Sequence, residues 1–481
     1  MRMGYVIAAV AMLTATPLAG SAAAAPTTPP PFRQATTLDD QTGMAVTIYN
    51  VSLGLVKDRR TVRLPVGRGE LRFMDVAAQI IPASVHISSL GGREELRVLE
   101  QNYEYDLLNS QKLLDKYVGK EVKLYQKNPY TEREDVVSAT LLANNDGPIY
   151  RIGNGVTFGY PGRVILPGVP ESLIAKPTLV WLLDNQATAP REVEATYLTN
   201  GITWRADYVA TLNDRDTRAD LTGWVTIDNR SGATYRDAVV KLVAGDVHRV
   251  VEEQPIRDRM MYKAMPAAAP PPFKEEGLFE YHLYTLQRPS TIKENQTKQI
   301  NLLSADAVPV KKELLLKGAN YYFTAGAGQE ETKVKVGVFI EMENRQEHRL
   351  GTPLPKGTVR VYKQDIDGSL QFVGEDAIDH TARDEKVRIK LGDAFDVVAT
   401  RKQTDWKKLA ADTYEAAFEI VIRNHKAEEV TVKVVEPVPG DWQMLSSSHD
   451  YKKGAAFAAE FLVPVKKEGE EKLAYRVRMR Y

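Results

Sequence analysis

Seven histidines, some with an acidic neighbour, and three large aromatics mark the places where this 481-residue chain could do chemistry. A general base needs an imidazole with a carboxylate to orient it. Asp246-x-His248 and Asp379-His380 are two close pairs of that kind. The other histidines are His86, His282, His348, His425 and His449; no two histidines fall at a metal-binding interval, so no metal ligand set is expected. Asp365-Ile366-Asp367-Gly368-Ser369 opens like a calcium loop, but its twelfth position is Asp376 rather than Glu; Asp-Gly between alternating runs reads as a hairpin turn. Gly153-Asn154-Gly155 lacks the Lys-Ser/Thr and the following helix of a phosphate loop, and reads as a β-turn. No Gly-x-Ser-x-Gly elbow occurs, and the absence of cysteine removes thiol chemistry and disulfides. Trp204, Tyr208 and Trp224 could stack on a sugar ring. Trp204 and Tyr208 share an apolar face and are expected in the core, whereas Trp224 alternates with Val225 and is the surface candidate. The binding candidates are therefore Trp224, Asp246 and His248; no catalytic residue and no cofactor is assigned.

These residues sit on or beside one stretch, Glu192 to Arg249, around which the chain is organised. Val193, Ala195 and Tyr197 alternate with polar residues, the period of a half-buried strand. Asn200-Gly201 follows and suits a tight hairpin. Ile202, Trp204, Ala206, Tyr208 and Ala210 form a second apolar face, Leu221, Gly223, Val225 and Ile227 a third, and Ala238, Val240, Leu242 and Ala244 a fourth. Asn229-Arg230-Ser231-Gly232 is the turn before the last. This predicts an antiparallel β core.

The remainder reads as mostly β, in tandem antiparallel sandwich or barrel-like domains with one short helix. Residues 1–25 read as a signal peptide: Arg2, an apolar run from Tyr5 to Leu18, and small residues from Ser21 to Ala25. That run is shorter than the roughly 20 residues a membrane helix needs, and no later segment is apolar enough to span. Residues 26–41 read as a Pro/Thr-rich tether. Residues 42–104 read as a small β domain with a turn at Gly67-Arg68-Gly69. Residues 105–185 hold a helix, capped by Asn109 or Ser110 and ended by Gly119, with a barrel-like segment. Residues 186–330 form the central β domain, interrupted by a Pro-rich excursion over 264–276 that returns as a strand from Phe279 to Leu286. Residues 331–481 read as an immunoglobulin-like sandwich. Its last strand shows Arg476, Arg478 and Arg480 outward, as charges guarding an edge would be.

Lys plus Arg and Asp plus Glu both number 63. That balance argues against nucleic acid as a partner.

Several stretches together resemble a known family. Asn200-Gly-Ile-Thr-Trp-Arg-Ala-Asp-Tyr208, Gly223-Trp-Val-Thr-Ile-Asp-Asn-Arg-Ser-Gly232 and Leu242-Val-Ala-Gly-Asp-Val247 carry the likeness. So do Tyr281 to Pro289, Gln371-Phe-Val-Gly-Glu-Asp376, Leu391-Gly-Asp-Ala-Phe-Asp396 and Glu436-Pro437. They are similar to the exported bacterial family of domain of unknown function 4139, whose longer relatives are called mucoidy-inhibitor proteins. The chain lacks the central coiled coil of that longer type. The resemblance implies a β fold and a location in the periplasm or cell envelope; it brings no catalytic residues. The expected function is a non-enzymatic scaffold or binding module for an envelope protein or glycan. The alternative is a hydrolase of envelope polysaccharide working through paired carboxylates.

Overall fold

The computed structural model describes residues 31–91, 95–127, 134–170, 172–245, 247, 273–323, 326, 330–454 and 457–481. The expected signal peptide, the start of the tether and the Pro-rich residues 264–272 lie outside them. The chain is mostly β, arranged in several sheets, and the described residues hold one α-helix, Ser110–Asp115.

The four strands of the organising stretch form where their alternation places them: Arg191–Asn200, Ile202–Leu212, Arg218–Asn229 and Tyr235–Ala244. Their apolar faces are buried, with Val193, Trp204, Val225 and Val240 each 3% exposed or less. Their pairing differs from the expected hairpins. Arg191–Asn200 pairs with Leu53–Val62 and His86–Ser89, while Ile202–Leu212 pairs with Arg218–Asn229. Tyr235–Ala244 pairs in parallel with Gln41–Tyr49. At Asn200-Gly201 the chain therefore changes sheet instead of turning back, and it does so again around Arg230–Gly232. Gly201 takes φ +78°, as a hairpin turn would also need.

The result is two sheets packed face to face. One has the main order Phe273–Leu278, Tyr281–Leu286, Tyr235–Ala244, Gln41–Tyr49, Leu53–Val62, Arg191–Asn200 and His86–Ser89. The other is the large sheet begun by Ile202–Leu212 and Arg218–Asn229. Val46, Ile48, Tyr197, Val240 and Leu242 from the first meet Ile202, Trp204, Tyr208 and Ile227 from the second in one core. The Trp204 indole crosses between them, donating from Nε1 to the Val243 carbonyl at 3.1 Å. A four-stranded sheet adds Leu71, Phe73, Leu179 and Trp181. Its first strand, Phe32–Thr36, falls within the expected tether but pairs in parallel with Gly67–Met74. The expected turn at Gly67–Gly69 is the start of that partner strand.

Residues 105–177 leave this core and return to it. The chain departs from the strand Leu96–Glu104 and re-enters as Thr178–Asn185, with Thr178 paired to Glu104. Between them the helix, with Asn109 Oδ1 accepting from Lys112 N at 2.8 Å, packs on a five-stranded sheet around Val122, Leu124, Leu141 and Tyr150.

The large sheet continues through two long strands. Gln296–Lys317 pairs with Arg218–Asn229 in its first half and with Thr332–Glu343 in its second. Lys386–Lys408 pairs with Thr332–Glu343 and then Thr413–Asn424. They enter a second core, where Phe418, Ile420, Leu473 and Val477 face Val432, Val434, Phe461 and Val463. Each large core encloses an ion pair: Asp58–Arg60 (2.7 Å) in the first and Glu436–Arg401 in the second. The Arg401 guanidinium also stacks on Tyr322 and Phe418, 4.2 and 4.3 Å from their centroids. Gly469–Arg480, expected as a guarded edge, lies between Thr413–Asn424 and Asp441–Ser447. Arg476, Arg478 and Arg480 bond Asp405, Glu415 and Asp412. The end of the expected excursion, Phe273 to Glu276, is instead part of the strand Phe273–Leu278, and Phe279, expected to open the return strand, sits in a left-handed turn (φ 58°) before Tyr281–Leu286.

Candidate functional site

Ile202–Leu212 and Arg218–Asn229 turn one face to the core and the other outward. On the outer face Trp224 is half-buried, paired across the ladder with Asp207 on one side and Asn301 on the other. Asp207 is held by three groups: the Thr226 hydroxyl donates to it at 2.7 Å, and Arg205 and Arg360 each lie 3.3 Å away. Gln299 Nε2 donates to the Thr226 hydroxyl at 3.2 Å, and Arg360 also meets Glu375 at 3.1 Å. Trp224 is thus the apolar patch in a fixed row of polar side chains running across several strands. Such a face suits a ligand with one apolar side and many hydroxyls. Trp204 and Tyr208, the other stacking candidates, are buried; the Tyr208 hydroxyl donates to the Pro355 carbonyl at 2.8 Å. Asp246 and His248 lie outside the described residues.

A second place was not anticipated. In the large sheet, Gly357–Gln364 and Leu370–Ile378 follow Ile202–Leu212 on one side, and Thr332–Glu343 and Lys386–Lys408 lie on the other. The sheet curls so that Leu370–Ile378 comes against Lys386–Lys408, sealed by Lys390 N donating to Asp376 Oδ2 at 2.8 Å. Both strands bulge at this seam. Val361 pairs with Gly374 and Tyr362 with Phe372, which leaves Val373 out. Val338 pairs with Gly392 and Phe339 with Lys390, which leaves Leu391 out. Bulges re-aim side chains, and Val373 and Leu391 both line a cleft of about 280 Å³. Leu212, Val338 and Ile340 complete its apolar lining; Asp216, Lys312, Lys363 and Asp393 make its polar part. The sequence signal was a glycine after each bulged residue, Gly374 and Gly392.

Asp216 accepts from Lys312 at 2.7 Å and from Lys363 at 2.5 Å. Burial raises its carboxyl, but the two lysine hydrogen bonds outweigh this and hold it below the usual range. Asp393 is also held low, by its hydrogen bond to Lys335 (3.0 Å) and by Lys390 (3.4 Å), although burial works the other way.

Several other polar clusters are bonded within the fold. His380 Nδ1 accepts from Lys356 N at 3.2 Å, within the connection beside Asp379. Ser448 Oγ lies 2.9 Å from His449 Nδ1, and His449 Nε2 lies 3.7 Å from Glu471, the outline of a nucleophile line. The same hydroxyl accepts from Ala474 N at 2.9 Å and donates to the Lys472 carbonyl, so it ties its segment to the next strand. A polar hollow of about 470 Å³ near Asp39 and Asp40 is built from a capping box, with Thr36 and Thr37 bound to Asp40. Asp365 Oδ1 accepts from Asp367 N and Ser369 N and closes a hairpin. No group of three or more His, Cys, Asp or Glu placed to hold a metal occurs among the described residues. No helix among them is long and apolar enough to cross a membrane.

Residues 193–444, just over half of the chain, match the model of a family described as Domain of unknown function (DUF4139). No curated protein matches this chain.

Proposed function

From the premise that this chain belongs to the DUF4139 family, we propose that it is a non-enzymatic binding module of the bacterial cell envelope whose ligand is a glycan. The supporting observation is the Trp224 face: a half-buried indole fixed in a sheet, opposite Asp207 and Asn301, with Arg360 bonded to Asp207. The ring offers an apolar platform to a sugar face, and the polar row offers partners to its hydroxyls. Export to the periplasm rests on the N-terminal sequence pattern, and kinship with the mucoidy-inhibitor proteins on the quoted motifs; both belong to this reading. A polysaccharide hydrolase would need one carboxylic acid kept protonated beside a carboxylate. In the seam cleft, where two carboxylates line one cavity, lysines hold both Asp216 and Asp393 in the ionised form.

Calorimetric titration of envelope polysaccharide into the chain beginning at Pro26 tests the reading. Binding should weaken about tenfold or more in Trp224→Ala, the loss expected for one stacked aromatic worth roughly 1.4 kcal/mol. Unchanged binding by that variant would remove the platform from the proposal. Recovery of a specific envelope protein by crosslinking, with no heat from any polysaccharide, would replace the glycan by a protein partner.

A further inference from the structure

The seam cleft is separate from the Trp224 face, and its chemistry points to a different ligand. Its apolar lining, Leu212, Val338, Ile340, Val373 and Leu391, presents no side-chain hydrogen-bonding group to a sugar. Its lining holds two lysines and two aspartates, which balance in number but are unevenly placed. Lys312 and Lys363 share the single carboxylate of Asp216, so that this group of three carries one positive charge in excess. Asp393 is bonded away from them, to Lys390 of its own strand and to Lys335 of Thr332–Glu343, two lysines outside the cleft lining.

An ammonium has three donors. Lys312 spends one on Asp216; Lys363 spends one on Asp216 and one on the Asp214 carbonyl at 3.0 Å. Both therefore keep donors for a further acceptor. The loop that carries Asp216 is fixed in advance, because Asn213 Oδ1 accepts from Thr217 N at 2.9 Å and Arg218 N at 3.1 Å. Asp216 itself takes a left-handed backbone, φ 54°.

We propose that the cleft binds a small apolar carboxylate: its body lies on Val338, Ile340, Val373 and Leu391, and its carboxylate completes the donor set of Lys312 and Lys363. The volume lies just under the roughly 300–1,000 Å³ of common small-molecule sites, which limits the ligand to a short acyl chain or one apolar chain-terminal residue. These two sources share the chemistry, and the probes separate them.

Octanoate stands for the acyl chain and N-acetyl-leucine for the chain terminus; octylamine and octanol are the controls. Each is titrated calorimetrically into the chain beginning at Pro26. At least one carboxylate should bind saturably at one site, and the tighter of the two identifies the source. Octylamine should not bind at that site. Lys363→Gln should weaken the carboxylate about tenfold, as expected for one charged hydrogen bond. Val373→Trp, a filling of the exposed mouth, should abolish binding. Asp216→Asn removes the competing carboxylate and should tighten binding, a change that a purely structural Asp216 would not produce. Trp224→Ala should leave this affinity untouched, so failure of the glycan reading and failure of this one are distinct. Equal binding of octylamine and octanoate overturns the proposal. So does the absence of saturable binding by both carboxylates, or a folded Asp216→Asn variant that binds no more tightly than the parent.

Discussion

Trp204 and Trp224 sit on neighbouring strands of one hairpin and face opposite ways. Trp204 is 3% exposed, packs at 6.4 Å from the Tyr284 ring and donates to the other sheet through its indole nitrogen. Truncating it empties a volume between the two sheets and removes the bond from its Nε1 to the Val243 carbonyl. Trp204→Ala should therefore lose about 3–5 kcal/mol, a large part of the roughly 5–15 kcal/mol that keeps a domain folded. Trp224→Ala removes no core contact and should lose no more than about 1 kcal/mol. Chemical denaturation midpoints of the two variants measure the difference; equal midpoints would show that the hairpin's inward face is misassigned. The inward residues were legible because a strand repeats every two residues, so Ile202, Trp204, Ala206 and Tyr208 declare one face whatever the fold. The polar row beside Trp224 was not legible. Asp207, Arg360 and Gln299 lie far apart in the chain, and only pairing of Ile202–Leu212 with Gly357–Gln364, and of Arg218–Asn229 with Gln296–Lys317, makes them neighbours.

At the scale of elements, pairing is what the alternation leaves open. Asn200-Gly201 satisfies a tight hairpin and a change of sheet equally, since both need positive φ at the glycine. The arginines of Gly469–Arg480 read as edge charges because their partners, Asp405, Asp412 and Glu415, come from elsewhere in the chain. The seam shows the same limit: two bulges meet only because the sheet curls. Gly374 is the contact point. A Cβ there would stand 2.3 Å from the Leu391 carbonyl oxygen, whereas one at Gly392 meets nothing within 4 Å, and both residues have φ +155°. The pair separates backbone strain from collision. Gly392→Ala carries the strain alone, while Gly374→Ala adds a backbone clash that no side-chain movement relieves. Gly374→Ala should be less stable than Gly392→Ala by about 1–3 kcal/mol. Parent-like stability of Gly374→Ala would mean that the two strands do not close at this point.

At the scale of the whole molecule, two large cores share continuous strands. Gln296–Lys317 places Ile300, Leu302 and Val308 in the first core and Leu314 and Leu316 in the second. Lys386–Lys408 does the same with Val387 and Ile389, then Val397 and Ala399. The unit around residues 105–177 is attached differently. Its ends are the paired residues Glu104 and Thr178, adjacent strands of an antiparallel ladder. Replacing it with a tight two-residue turn should leave both large cores folded, since the strands it interrupts already pair. Circular dichroism and the main denaturation transition of the deletion variant check this. Loss of the main transition would show that the parent core depends on the unit's own contacts.

That attachment also has an entropic meaning. A strand pair closed by a flexible segment of about seventy residues is roughly 3 kcal/mol harder to close than one closed by a two-residue turn. Residues 105–177 avoid most of this penalty only while their own small core, around Leu124 and Tyr150, holds their ends together. Melting that core converts a rigid clasp into slack rope and taxes the Leu96–Glu104 and Thr178–Asn185 ladder without touching one of its hydrogen bonds. Substitutions in the small core should thus be felt by the parent through chain entropy, and anything that grips the small unit tightens the sheet it hangs from.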